Sequence, residues 1–258
     1  MDWKKESEMF NQMADYYDKY RPNYPDDIIR AIIGEAGLTK GSKLLEIGAG
    51  SGKATAQFAN FGFEMLCIEP GEDLVKKGNE TFGGKNIEFV ASRFEDYDII
   101  KVAYFDAIIS AQAFHWVSQP EGYVKCAKAL KDDGYLALFW NYDINDGSDY
   151  DKKLAAIAEK YGAVSCISKA EHEKCMGRIT DEMAESGLFS APKAVCAELE
   201  INYSTDEYFG YFLTGNVFVQ KSEQEKQRCF EALKEFAERH GGIIKRSYTC
   251  KLYLAQKL

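Results

Sequence analysis

Short apolar runs alternate with amphipathic stretches through the first half of the chain. Because strands that alternate with helices form βαβ units, this region predicts a parallel sheet with helices on both faces. The runs at residues 43–47, 63–69, 87–91, 105–110 and 135–140 predict strands, and helices are predicted at 25–36, from the glycine turn to 61, at 73–78 and at 120–130.

The rhythm of the chain changes after residue 141. Helical periodicity returns at 150–161, 181–186 and 222–240, an aromatic-rich stretch covers 205–218, and residues 195–203 and 247–256 alternate as strands do. A helical excursion separates these last two strands. We therefore expect them to close the sheet as an antiparallel edge pair, so that the fold class is a doubly wound, mostly parallel α/β sheet.

The composition is that of a globular protein. Hydrophobic residues make up 46% and charged residues 28% of the 258 positions, which excludes an intrinsically disordered chain. A chain of this length buries a sizeable core, and one large domain spanning 1–258 is expected.

Charge and cysteine content narrow the function classes further. The net charge of −9 disfavours binding to nucleic acid or to an anionic membrane. No apolar run approaches the roughly 20 residues that span a bilayer. The seven cysteines are widely spaced without a CxxC pair, so neither a disulfide framework nor a metal site is predicted. With no apolar signal segment at the start, a cytoplasmic protein is expected.

A glycine turn is the most informative local pattern. The apolar strand at 43–47 runs into Gly48, Gly50 and Gly52, and a helix follows. Such a turn lets the backbone approach a ligand closely, and the helix N-terminus favours an anion. Glu69 ends the second strand, at the position where a carboxylate accepts ribose hydroxyls in doubly wound folds.

Three kinds of ligand compete for this turn. A dinucleotide fingerprint needs glycine or alanine where Lys53 stands, and a P-loop needs glycine at Ile47 and serine or threonine at Ala54. The spacing Glu46-x-Gly48-x-Gly50-x-Gly52 resembles the first motif of class I S-adenosylmethionine-dependent methyltransferases. That resemblance implies that the glycines cradle the methionine part of the cofactor and that the acid faces its ammonium group.

The resemblance continues along the chain. Residues 89–95 look like the family's segment that lines the adenine, although Arg93 stands where the family often has an acid. Residues 110–116, Ser-Ala-Gln-Ala-Phe-His-Trp, look like the His-Trp form of the fourth motif, as in small-molecule methyltransferases of the trans-aconitate type. Residues 16–25 and 248–255 resemble the same subgroup. The family likeness implies a seven-stranded Rossmann-like sheet with strand order 3-2-1-4-5-7-6.

Candidate site residues follow from this likeness. Trp116, Tyr208, Tyr211 and Phe212 are candidates for a substrate wall, although aromatics at this spacing are also typical of a plain core. His115 is a candidate general base, with a purely structural histidine as the alternative. The resemblance implies S-adenosyl-L-methionine as cofactor, held by Glu46, Gly48, Ala49, Gly50, Gly52, Glu69, Pro70, Arg93, Phe94, Ser110, Gln112, Tyr17 and Arg21.

The sequence thus predicts methyl transfer from S-adenosylmethionine to a small-molecule acceptor, a carboxylate or hydroxyl compound. Residues 37–140 would hold the cofactor, an arm at 1–24 would become ordered with it, and 141–190 and 204–245 would cap the substrate. Two alternatives stay open at this point. One is a nicotinamide-dependent oxidoreductase, and the other is a non-catalytic S-adenosylmethionine-binding regulatory protein.

Overall fold

A computed structural model describes residues 16–84, 86–98, 102–163, 167–215 and 217–258. These residues cluster into two compact units. Unit 1 holds the described residues up to Pro22 together with Tyr142–Lys174 and Glu198–Thr249, and unit 2 holds Asn23–Asn141, Cys175–Ala197 and Cys250–Leu258. The greater part of the predicted arm at 1–24 lies outside the described residues. The single domain and the substrate cap stay predictions.

Helices and strands alternate along the chain as far as residue 145, and after it the order of helices and strands is no longer regular. The helices are α1 (Asp26–Glu35), α2 (Thr55–Phe58), α3 (Glu72–Phe82), α4 (Glu121–Ala129), α5 (Asp149–Tyr161), α6 (Lys169–Glu185), α7 (Thr205–Phe212) and α8 (Glu223–Glu238). The strands are β1 (Lys43–Ile47), β2 (Glu64–Glu69), β3 (Ile87–Ala91), β4 (Phe105–Ala111), β5 (Leu130–Asn145), β6 (Ile167–Ser168), β7 (Lys193–Tyr203) and β8 (Ile244–Gln256).

The strands form one sheet in the order β3-β2-β1-β4-β5-β8-β7, and the two-residue strand β6 pairs with β5. The four pairings from β3 to β5 are parallel. The sheet as a whole is mostly parallel with one antiparallel edge. The predicted order of the seven long strands is therefore confirmed. The short β6, which makes the sheet eight-stranded, was not predicted.

The core of unit 2 lies on both faces of the parallel strands. β1, β4 and the middle of β5 are buried along almost their whole length, as near-continuous apolar runs in a parallel sheet must be. The carboxyl ends of β1, β2 and β4 consequently lie at one edge of the sheet, and the loops that follow them are neighbours.

Unit 1 has its own apolar core, in which tyrosines are prominent. Tyr208, Tyr211 and Phe212 of α7 are all buried there, packed with residues of α5, α8 and the strands β7 and β8 that fall in this unit. The hydroxyls of Tyr203 and Tyr248 lie 3.0 Å apart within the same cluster. This burial supports the plain-core interpretation of the three α7 aromatics.

A buried ion cluster crosses the core of unit 1. Arg246 of β8 is only 2% exposed. Its Nε donates to Asp143 Oδ1 at 2.9 Å, its Nη1 donates to Asp151, and its Nη2 donates to the carbonyl of Ile144 at 3.0 Å. All three nitrogens of this guanidinium therefore have partners, and two carboxylates share its charge.

Three further features concern the described residues only. No helix among them is long and apolar enough to cross a bilayer. Within the same ranges, no cluster of histidine, cysteine and acidic side chains has the arrangement of a metal site. The six cysteines in this part of the chain are free thiols; four of them are buried, Cys175 is partly exposed and Cys196 is exposed.

Candidate functional site

The glycine turn follows β1 at the carboxyl edge of the sheet. The N–H groups of Gly48 and Ala49 both donate to the carbonyl of Ile68, at 2.8 and 3.2 Å, so the turn is pinned to the end of β2. Four turn residues separate Gly50 from α2, which begins at Thr55. The strand, the turn and the helix thus occur in the predicted order.

Two glycines of the turn have different physical requirements. Gly48 has a φ of +68°, and a Cβ there would collide with the side chain of Ala113 in the loop after β4. Gly50 has a φ of +58°, and nothing lies within 4 Å of where its Cβ would stand. Gly48 therefore permits close packing between two loops, whereas Gly50 exposes backbone to open space, as a ligand-binding turn requires.

Glu69 ties this turn to the loop after β2. Its Oε2 accepts the N–H of Gly50 at 3.0 Å, and its Oε1 accepts the N–H of Gly71 at 2.9 Å. Pro70 has no N–H to offer, so the carboxylate reaches the next residue along. Burial raises the pKa of Glu69, and the two backbone donors oppose that shift. Each carboxylate oxygen keeps a second lone pair for a ligand hydroxyl.

Glu46 lies deeper, on β1, and is 1% exposed. The hydroxyl of Thr55 donates to its Oε2 at 2.6 Å, and the Cys67 thiol lies 3.8 Å from the same oxygen. Burial raises the pKa of Glu46 to about 7, although the hydrogen bonds from Thr55 and Cys67 act in the other direction. Near neutral pH this carboxyl therefore titrates, and a cation beside it would favour its ionised form.

The segment after β3 lies beside the end of β2, where the N–H of Ser92 donates to the carbonyl of Glu69 at 3.1 Å. The Arg93 guanidinium forms an ion pair with Glu95 at 3.3 Å. Phe94 is buried, and Lys125 of α4 donates to its carbonyl. The backbone of this segment is thus fixed, while the Arg93 charge is already partnered by an acid.

The loop after β4 contacts the glycine turn through Ala113. Ser110 is fully buried, and its hydroxyl donates to the carbonyl of Ile47 at 2.8 Å, which joins β4 to β1. Gln112 has a φ of +60°, which is strained for a residue other than glycine. Its N–H donates to the carbonyl of Phe139 at 2.9 Å and its side-chain amide to the carbonyl of Asn141 at 3.1 Å, and these bonds hold the strained conformation.

His115 and Trp116 follow in a short 3-10 helix, Phe114–Trp116. Trp116 is 45% exposed. The indole N–H of Trp140 donates to His115 Nδ1 at 3.2 Å. Although His115 is among the exposed residues, desolvation of the part of its ring that is covered, and then the positive charge of Arg178, lower the pKa of His115 below its ordinary value. The imidazole is therefore mostly neutral at pH 7 and above.

Tyr17 and Arg21 belong to unit 1. Arg21 Nε donates to Thr214 Oγ1 at 2.8 Å, and its Nη1 lies 3.4 Å from the hydroxyl of Tyr211. The guanidinium carbon lies 4.6 Å from the centre of the Tyr211 ring and 5.4 Å from that of Tyr17. Aromatic faces therefore stabilise its charge, as cation–π contacts do.

The structure gathers the predicted residues into two sets. In unit 2 it brings together the glycine turn, Glu46, Glu69, the segment after β3 and the loop after β4. In unit 1 it brings Arg21 to Tyr17 and Tyr211. Sequence reasoning missed the residues that hold these groups, namely Thr55, Cys67, Trp140 and Thr214. The polar Thr55 at the start of the helix was the one local signal among them.

Comparison with known proteins identifies the family. A family model described as a methyltransferase domain matches residues 45–138. A probable S-adenosylmethionine-dependent methyltransferase of Saccharomyces cerevisiae is 31% identical over 57% of this chain and 51% of its own length. An uncharacterized methyltransferase of Schizosaccharomyces pombe is 30% identical over 69% of this chain and 70% of its own.

The fold agrees with these sequence matches. A structure from Anaeromyxobacter dehalogenans, provisionally assigned as a type II methyltransferase, superposes with a TM-score of 0.63 at 18% identity, covering 91% of this chain and 97% of that one. The chain spans about half the length of the Saccharomyces relative and more than two thirds of the Schizosaccharomyces one. The chain therefore belongs to the class I S-adenosylmethionine-dependent methyltransferases.

Proposed function

We propose that this protein transfers the methyl group of S-adenosylmethionine to a small-molecule acceptor. One observation carries the proposal. Gly50 presents open backbone at the carboxyl edge of the sheet, and its N–H is held by Glu69, whose carboxylate keeps lone pairs for two hydroxyls. A turn of this shape beside a buried acid fits a nucleoside attached to an amino-acid tail.

The remaining residues fit the other parts of the cofactor. Glu46 would face the ammonium group of its methionine part, and the backbone of Arg93 and Phe94 would line the adenine. The bound cofactor supplies an activated methyl group. The protein then has to align the acceptor and exclude water, and positioning alone contributes several kcal/mol to lowering such a barrier.

For the acceptor we propose a carboxylate or hydroxyl compound. The support is the Ala-Phe-His-Trp segment at 113–116, which resembles that of the trans-aconitate methyltransferase type, and its place after β4 at the ligand-binding edge of the sheet. His115 and the exposed Trp116 are the residues of that segment that offer a polar group and an aromatic face.

Binding of S-adenosylhomocysteine is the first test of this function. Calorimetry is expected to show one site per chain for S-adenosylhomocysteine and no binding of NAD. Gly50→Leu is expected to weaken binding about tenfold or more. The leucine side chain would occupy the space of the ligand, and the ligand would lose its polar contacts with the turn. If NAD bound and S-adenosylhomocysteine did not, the protein would be assigned as an oxidoreductase and the proposed methyl transfer would be wrong.

A matched control exists within unit 2. Gly37 also has a φ of +58° and open space where its Cβ would stand. Gly37→Leu therefore suffers the same backbone strain, and it is expected to keep the wild-type affinity. Equal losses of affinity in both variants would mean that the effect comes from strain and that Gly50 does not touch the ligand.

Turnover separates an enzyme from a regulatory protein. A panel of small carboxylates and hydroxyl compounds, incubated with labelled S-adenosylmethionine, is expected to give a methylated product for at least one member. Normal cofactor binding without transfer to any compound of either class would favour the regulatory alternative.

The ionisation of Glu46 predicts a pH dependence of binding. Its pKa of about 7 lies above the ordinary value, so the carboxyl is mostly protonated at pH 6 and mostly ionised at pH 8. If it pairs with the cofactor's ammonium group, affinity for S-adenosylhomocysteine is expected to rise about tenfold between these pH values. Calorimetry at both pH values measures this. Glu46→Gln, which keeps the shape and cannot ionise, is expected to abolish the slope, and a slope that persists in this variant would assign it to another group.

A further inference from the structure

The hydrogen bond between Trp140 and His115 fixes which nitrogen of the imidazole carries the proton. An indole nitrogen only donates, so His115 Nδ1 has to accept through its lone pair. In a neutral imidazole the other nitrogen, Nε2, then bears the hydrogen. An imidazolium has no lone pair at either nitrogen, so this bond is also lost when the ring is protonated.

Trp140 is rigid enough to impose this choice. It sits near the middle of β5 and is 5% exposed. The ring of Tyr253 packs edge-on against it, with 6.0 Å between centroids. The His115 ring in turn lies 4.9 Å from that of Trp116, measured between centroids. The indole N–H is therefore a fixed donor, and the His115 ring has one arrangement that satisfies it.

We propose that Trp140 is a positioning residue that keeps His115 in the Nε2–H form, so that His115 donates a hydrogen bond to the methyl acceptor and does not take its proton. The role toward the acceptor rests on the proposed methyl transfer, whereas the assignment of the proton does not. His115 Nε2 has no lone pair in this form, and Nδ1 is occupied by the indole. No nitrogen of the ring is available as a base.

This assignment selects a class of acceptor. Without a base at His115, the attacking atom has to arrive without a proton, and a carboxylate oxygen is ionised at neutral pH. Its lone pair forms the new O–CH3 bond, the S–CH3 bond of the sulfonium breaks, and that electron pair stays on sulfur as the neutral thioether. No proton is released, so the products are a methyl ester and S-adenosylhomocysteine. A hydrogen bond from Nε2–H would hold the other carboxylate oxygen.

Nitrogen NMR tests the assignment without any acceptor. In protein with 15N-labelled histidine, saturated with S-adenosylhomocysteine, His115 is expected to give a pyridine-type signal at Nδ1 and a pyrrole-type signal at Nε2. His240 provides the opposite case within the same spectrum, because its Nδ1 lies 2.7 Å from the carbonyl of Phe236 and has to donate there. A pyrrole-type signal at His115 Nδ1 would overturn the proposal even in the wild-type protein.

The variant Trp140→Phe removes the donor and keeps a ring. The loss of one ordinary hydrogen bond is expected to change the ratio of the two His115 forms about fivefold toward Nδ1–H. Trp116→Phe changes a neighbouring ring and leaves the donor in place, so its spectrum is expected to keep the wild-type ratio. An unchanged ratio in a folded Trp140→Phe protein would remove Trp140 from the proposal. Failure to bind S-adenosylhomocysteine would instead count against the proposed function.

Substitution of His115 by either of two amide residues, glutamine or asparagine, tests its role toward the acceptor. The side-chain nitrogen of His115→Gln can reach the position of Nε2, whereas that of His115→Asn reaches only the position of Nδ1. With a carboxylate acceptor, the Asn variant is expected to lose about 10- to 100-fold more kcat/KM than the Gln variant, mainly through KM. Equal losses in both variants, confined to kcat and accompanied by loss of one limb of the pH profile, would restore the general base.

Discussion

Arg246→Ala is expected to lower the free energy of unfolding by about 3–5 kcal/mol, the range seen when one partner of a buried ion cluster is removed. The guanidinium is the charge that Asp143 and Asp151 share in the core of unit 1. Without it, two largely buried carboxylates keep no cation between them, and the carbonyl of Ile144 loses a donor. Urea unfolding followed by tryptophan fluorescence and circular dichroism measures the change.

The control for this experiment is an arginine that also pairs with an acid but lies at the surface. Arg239 Nη2 contacts Glu235 at the end of α8, and both side chains are more than half exposed. Arg239→Ala is expected to change stability by less than about 0.5 kcal/mol, because solvent screens such pairs. Adding Asp143→Asn and Asp151→Asn to Arg246→Ala is expected to recover part of the loss. Equal effects of the two arginine substitutions would show that burial of the cluster adds nothing.

Glu69→Ala is expected to weaken binding of S-adenosylhomocysteine by about 1–3 kcal/mol, which is roughly 5- to 150-fold. The substitution removes the acceptor for the N–H groups of Gly50 and Gly71, which loosens the turn. It also removes the lone pairs proposed to accept the ribose hydroxyls. Calorimetry measures the loss, and circular dichroism checks that the variant folds.

Glu88 is the matched control for this substitution. It lies on β3, in the same unit, and its side chain is exposed. Glu88→Ala removes the same charge from the protein and is expected to leave the affinity unchanged. A folded Glu69→Ala protein with wild-type affinity would mean that this carboxylate neither contacts the ligand nor shapes the turn.

The short strands were the most predictable elements. β1 and β3 begin and end where the apolar runs do, because glycine or polar residues interrupt the hydrophobic pattern at each end. β5 was predicted only at 135–140 but extends over Leu130–Asn145. Its early part contains an Asp-Asp-Gly turn signal, which coincides with a shift in the register of β4 against β5.

Two helices are longer than their sequences indicated. α3 was predicted at 73–78 and continues to Phe82, whose ring stacks on Phe89 at 5.9 Å. α6 was predicted only at 181–186 and begins at Lys169. Its first half carries mostly polar residues, so no apolar stripe marks it. In α3 the contact of Phe82 with β3 stabilises a last turn of helix that local periodicity does not reveal.

The residues of the candidate site also divide into those that the sequence predicts and those that it does not. The glycine turn and Glu69 could be predicted because strand, turn and helix are consecutive in the chain. The residues that orient the site could not, because their partners are far along it. Arg21 and Thr214 are 193 positions apart, and Trp140 and His115 are 25 apart. No period of the sequence links such pairs, and only the folded chain brings them together.

The free cysteines differ in burial, so their alkylation rates report how often different parts of the protein open. Burial raises the pKa of Cys67 and of Cys229, and only the thiolate reacts with alkylating reagents. Their modification therefore waits for local opening of the chain. Cys67 contacts Glu46 below the glycine turn, whereas Cys229 lies in the core of unit 1. The exposed Cys196 needs no opening of the chain, so its alkylation rate is the reference against which the buried thiols are compared. Alkylation kinetics, resolved by peptide mass, can thus time the opening of each unit separately in unmodified protein.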